Sequence, residues 1–192
     1  LEPSKLSGME YVEYEARDGL VIPAYLTKPK NGKAPYPAVV MPHGGPWARD
    51  YYGWDLWAQF LADRGYAVLQ PQYRGSEGWG TKLWRAGDNE WGQKMQDDKD
   101  DGAQWLVEQG IAAKDRIAIY GYSYGGYAAM AAIVRPNSPY QCAIAGAGLS
   151  ELRTFEKITF DSPFGREFQS ATIEGLSPLD NVEDASIPIY IF

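Results

Sequence analysis

The segment from Arg116 to Val134 constrains this chain more than any other. A short apolar run ending at Tyr120 meets Gly121-Tyr122-Ser123-Tyr124-Gly125-Gly126 at once, and an Ala-rich stretch then continues to Val134. The first run reads as a strand buried on both faces and the second as a helix, so strand must become helix at Ser123. A turn that sharp leaves no room for side chains two residues before and two after its apex, which is where Gly121 and Gly125 stand. It also pushes the apex hydroxyl of Ser123 out of the sheet.

The rest of the chain repeats the β-then-α alternation. Tyr11 to Ala16 and Val21 to Thr27 alternate as two strands around an Asp18-Gly19 hairpin signal, which gives an antiparallel opening. Ala38 to Met41, Tyr66 to Leu69, Arg116 to Tyr120, Cys142 to Gly146 and Ile187 to Phe192 read as buried strands. Between them the spacing predicts helices over Trp54 to Arg64, with Leu56, Trp57, Phe60 and Leu61 as its apolar stripe, over Asp97 to Gln109, and over Gly125 to Val134. Leu149 to Asp184 has no clean period and reads as an irregular excursion with short helices. Buried strands separated by helices imply crossover units, a mostly parallel sheet and a three-layer α/β architecture, in one domain.

Charge and composition exclude several function classes. The net charge of −7 and the absence of a Lys/Arg run argue against nucleic acid. No apolar stretch approaches the roughly 20 residues of a membrane-spanning helix, so no membrane partner is expected. Cys142 is the only cysteine. It points to a reducing, cytoplasmic compartment or to a protein that needs no disulfide staples. Asp97, Asp98, Asp100 and Asp101 read as a solvated first helical turn matched to the helix dipole rather than as a metal site, and nothing calls for a cofactor.

The chemistry gathers at two places. Ser123 is the candidate nucleophile, and its turn aims the Tyr124 amide and the start of the following helix at the point where an oxyanion would form. His43-Gly44-Gly45-Pro46 follows the Ala38 to Met41 strand, and the Gly45 amide is the candidate second donor. His43 is the sole histidine. Its place before the turn suits a scaffold for that loop better than a general base for Ser123. Asp180 and Asp184 precede the last strand and should lie at its wrong end for a catalytic acid.

Pro37 to Trp47 (PAVVMPHGGPW), Tyr73-Arg74-Gly75-Ser76 with Gly78-Trp79-Gly80, and Gly121 to Tyr127 together resemble the α/β-hydrolase catalytic domain of the prolyl oligopeptidase family of serine peptidases, notably its acylaminoacyl-peptidase and dipeptidyl-peptidase-like branches. The resemblance runs along nearly the whole chain. It implies a Ser-Asp-His mechanism cleaving short peptides, with a carboxylesterase of the same fold and a non-catalytic scaffold as alternatives, and it leaves room for a homo-oligomer. It also implies that residues 1 to 192 are part of a catalytic domain whose β-propeller and Asp/His segment lie outside this chain, so that the chain alone is expected to be inactive. Leu152 and Phe155 fall where the family has an apolar pocket for the residue before the scissile bond, or else they are core. Trp79, Trp84 and Trp91 either face the cleft or pack.

Overall fold

The computed structural model describes residues 6–154 and 172–192. Among them runs a seven-stranded sheet in the order β1-β2-β4-β3-β5-β6-β7. β1 (Met9–Glu15) and β2 (Val21–Thr27) pair antiparallel around the Asp18-Gly19 turn, and β2 pairs antiparallel with β4 (Ala67–Pro71). β3 (Tyr36–Val40), β4, β5 (Ala112–Tyr122), β6 (Cys142–Gly146) and β7 (Ile189–Ile191) are parallel to one another. The antiparallel opening and the parallel remainder are as the sequence pattern requires.

The strand period of two assigns the two faces. Ala38, Val40, Ala67, Leu69, Ile117 and Ile119 turn to one core, shared with Ala103 and Leu106 of α3 (Lys94–Glu108) and with Ala129, Ala132 and Ile133 of α4 (Tyr124–Val134). The alternate residues Val39, Val68, Ala118 and Tyr120 turn to the other face, where Ala58 of α1 (Leu56–Asp63) meets them. Helices therefore cover both faces, giving three layers. Every residue of α4 is buried, as expected of a helix that is apolar all round.

Three sequence expectations need correction. α1 starts at Leu56, because Asp55 caps it by accepting from the Ala58 amide at 2.8 Å. Its buried stripe is Ala58 and Ala62, whereas Leu56, Trp57 and Phe60 are 56%, 50% and 43% exposed. Small residues four apart let this helix settle close to the sheet, and the large ones flank the contact. A short helix, α2 (Thr81–Arg85), lies in what reads as a loop.

The third correction concerns the acidic cluster. α3 starts at Lys94, one turn earlier than expected, so Asp97, Asp98, Asp100 and Asp101 do not form a solvated first turn. Arg74, 4% exposed, holds the fully buried Asp98 through two nitrogens and reaches Asp18 of the β1–β2 turn at 2.8 Å. Arg135 bridges Asp97 and Asp100 at 2.5 and 3.1 Å, and Arg17 pairs with Asp101 at 2.7 Å. Each carboxylate is an arginine partner, and the cluster ties α3 to the hairpin and to the end of α4.

Candidate active site

Adjacent parallel strands deliver the two motifs to one end of the sheet. β3 and β5 pair in register, Ala38 with Ile117 and Val40 with Ile119, so the chain beyond each emerges side by side. This is the carboxyl edge, where open α/β sheets bind ligands.

Ser123 is the apex of the turn between β5 and α4 and is exposed. Its φ of 56° lies in the left-handed region, which costs a non-glycine residue about 1–3 kcal/mol. Two hydrogen bonds hold that conformation: the Ser123 amide donates to the Gly146 carbonyl at 2.9 Å, and the Tyr127 amide donates to the Ser123 carbonyl at 3.0 Å. Steric necessity for the flanking glycines is plain. A Cβ on Gly121 would sit 2.3 Å from the Gly125 carbonyl carbon, and one on Gly125 would sit 2.3 Å from the Pro42 carbonyl oxygen. The second contact shows that the loop after β3 lies directly on the first turn of α4.

Tyr124 is the first residue of α4, so its amide is among the four that have no acceptor within the helix. In the facing loop, Gly44 is the residue against the serine. A Cβ there would lie 3.5 Å from the Ser123 Cβ and 4.0 Å from its Oγ, while one on the exposed Gly45 would meet Trp47 and Ala48 instead.

His43 is committed to the loop. Nδ1 lies 2.7 Å from the Gly44 carbonyl, which can only accept, so Nδ1 carries the proton; Nε2 then accepts from the Ser76 hydroxyl at 2.8 Å. Burial holds its pKa down to about 4, against the Gly44 hydrogen bond, and the ring is neutral at pH 7. Tyr73 secures the same loop by donating to the His43 carbonyl at 2.8 Å. Its ring stacks on His43 with centroids 4.4 Å apart.

Behind the turn is an aromatic cluster of Tyr73, Trp91, Tyr124 and Tyr127. Trp91, 1% exposed, meets Tyr124 edge-on at 4.8 Å, so it packs rather than facing a cleft. Trp79 stacks on Tyr11 at 5.9 Å, and Trp84 is 41% exposed. Leu152, 6% exposed, belongs to the same cluster, and its amide donates to Ser177 Oγ at 3.1 Å. Phe155 lies outside the described residues. Asp180 sits in the 3-10 turn Pro178–Asp184 ahead of β7 and pairs with Arg153 at 3.1 Å.

Sequence reasoning passed over two features here. One is Lys99, fully buried against Tyr73 and Tyr124. The other is Asp50, beside a hollow of about 450 Å³ that Gly44, Trp57 and Tyr122 also line. Burial and the nearby Asp55 raise its pKa to about 7. An acid so soon after an HGGP loop was the available signal. No helix among the described residues is long and apolar enough to cross a membrane.

Residues 53–188 match the model of the prolyl oligopeptidase family. Dipeptidyl aminopeptidase BIII of Pseudoxanthomonas mexicana is 44% identical over 151 residues, which cover 74% of this chain and 22% of that protein. Dipeptidyl peptidase family member 6 of Caenorhabditis elegans is 38% identical over 162 residues, covering 73% and 22% respectively. Among solved structures, a puromycin-hydrolyzing peptidase of Mycobacterium tuberculosis superposes with a TM-score of 0.88 at 29% identity, over 100% of this chain and 31% of that one. The chain thus spans about a fifth of the length of these two relatives.

Proposed function

This chain belongs to the prolyl oligopeptidase family, with its α/β-hydrolase fold, and from that premise we propose that it is the nucleophile-bearing part of a serine peptidase that cleaves short peptides. One observation carries the proposal: Ser123 stands exposed on a strained turn with the Gly44 backbone against it. In the proposed reaction Ser123 Oγ attacks the scissile carbonyl, forming an acyl-enzyme and releasing the amine. The carbonyl oxygen gains charge as the C–O bond forms, and the amides of Tyr124 and Gly45 stabilise it. Leu152, packed in the same cluster as Tyr124, forms the floor of an apolar pocket for the residue before the scissile bond.

Attack requires a base to take the hydroxyl proton and an acid to orient that base. The one histidine of these 192 residues spends both ring nitrogens elsewhere. The catalytic His and Asp are therefore proposed to come from outside this chain. No nucleic acid or membrane partner forms part of the proposal.

A fluorophosphonate probe tests it. The complete gene product should be labelled and should cleave aminoacyl or peptidyl amides, and Ser123→Ala should lose both. The 192-residue chain alone should stay unlabelled. Turnover of short-chain esters with amides untouched would replace peptidase by esterase, and absence of labelling in the complete product would leave a scaffold.

A further inference from the structure

Lys99 sits on α3 with no exposed surface. Its ammonium donates to the Met95 carbonyl at 2.5 Å, one turn back on its own helix. The adjacent carboxylate, Asp98, is engaged by Arg74. Asp98 and Asp100 attract it from its own helix, and on the other side Nζ lies 3.6 Å from the centroid of the Tyr73 ring and 5.3 Å from that of Tyr124. Those two rings stack on one another at 5.4 Å and 22°. A buried ammonium is costly: burial pushes the Lys99 pKa down, Asp98 and Asp100 oppose that, and the negative faces of the two tyrosine rings add to their support.

These two tyrosines are the supports of the two oxyanion donors. Tyr124 carries one amide on its own backbone. Tyr73 anchors the opposite loop, since its hydroxyl donates to the His43 carbonyl and its ring stacks on the His43 imidazole. One charge therefore touches both halves of the hole from behind.

We propose that Lys99 is a positioning residue for the oxyanion hole, holding the Tyr73 and Tyr124 rings together and so fixing the distance between the HGGP loop and the start of α4. The inference rests on the serine peptidase reading. Lys99 meets no substrate, and it acts only through the two tyrosines. Because an oxyanion hole works on the transition state and hardly on bound substrate, misplacing its donors should lower kcat and spare KM.

The test is Lys99→Met in the complete gene product, alongside Lys99→Gln and Ser123→Ala, with kcat, KM and thermal midpoint measured for each. Loss of a whole oxyanion donor costs roughly 10²–10³ in kcat, so a misplaced pair should cost roughly tenfold. For Lys99→Met we expect that drop in kcat, a KM within about twofold, and a midpoint close to wild type, since the variant removes both the cost of burying an ammonium and its attraction to Asp98 and Asp100. An unchanged kcat overturns the proposal, as does a kcat that falls only together with the melting temperature. Should Lys99→Met fail to fold, Lys99→Gln decides, because it removes the charge that faces the two rings and keeps a polar side chain at that place: a similar fall in kcat supports the proposal and a wild-type kcat overturns it. Ser123→Ala keeps the two readings apart. If that variant retains activity the peptidase reading itself fails, whereas a silent Ser123→Ala beside a wild-type Lys99→Met removes only the role of Lys99.

Discussion

Replacing Gly125 by alanine in the complete gene product should cut the proposed peptidase activity deeply while leaving the protein folded. The added Cβ would lie 2.3 Å from the Pro42 carbonyl oxygen, against about 3.3–3.6 Å for the closest comfortable C···O approach. Neither partner is a flexible side-chain tip: one is the first turn of α4 and the other the backbone just before His43. The two must separate by roughly 1 Å, and this is the seam between the proposed oxyanion donors. Overpacking of that kind costs about 1–3 kcal/mol of stability. A displacement of roughly 1 Å in a reacting constellation can cost about 10²-fold in rate. Activity should therefore fall far more than stability, measured as kcat/KM on a peptidyl amide beside urea unfolding. Gly110→Ala is the control, because φ is 67° there and nothing lies within 4 Å of the added Cβ. It should cost about 1–2 kcal/mol of backbone strain with activity intact. A Gly125→Ala enzyme within threefold of wild type, or equal losses in the control, would refute the reasoning.

Two further outcomes follow from burial. Leu152→Ala should lose about 3 kcal/mol, as large-to-small changes in a packed core do, in a urea melt; a KM that rises beyond this for substrates with a large apolar residue would mark the pocket role, and an unchanged KM would confine Leu152 to the core. His43 should cost stability as the medium is acidified, because its folded pKa of about 4 lies below the unfolded value of about 6.5 and the unfolded chain takes the proton first. That loss runs from about pH 6.5 down to about pH 4. It should shrink in His43→Asn, read from urea midpoints at several pH values, and an identical acid slope in both proteins would contradict the burial of a neutral ring.

The turn at Ser123 was legible because its demands are local. Gly121 and Gly125 stand where a Cβ has no space, and the strands around them announce themselves by apolar runs. The sheet order followed in part, since crossover units and a hairpin signal specify parallel and antiparallel pairing. What the sequence hid was the identity of partners. The carboxylates of α3 find arginines 24 to 84 positions away, and no periodicity encodes such distances. Nothing local sets Lys99 apart in the sequence, for the same reason. α1 misled in another way: its large apolar residues suggest a core stripe, yet the alanines four apart, Ala58 and Ala62, make the contact.

The guanidinium of Arg74 has an influence beyond its neighbours. It joins Asp18 in the outermost hairpin to Asp98 in a central helix, so fraying that hairpin would strip one carboxylate from a cation that water scarcely reaches. An edge that would otherwise open freely is thereby drawn into the same cooperative unit as the turn at Ser123. Amides of β1 should exchange on the slow timescale of the interior, and the margin of the sheet becomes part of what keeps the serine in place.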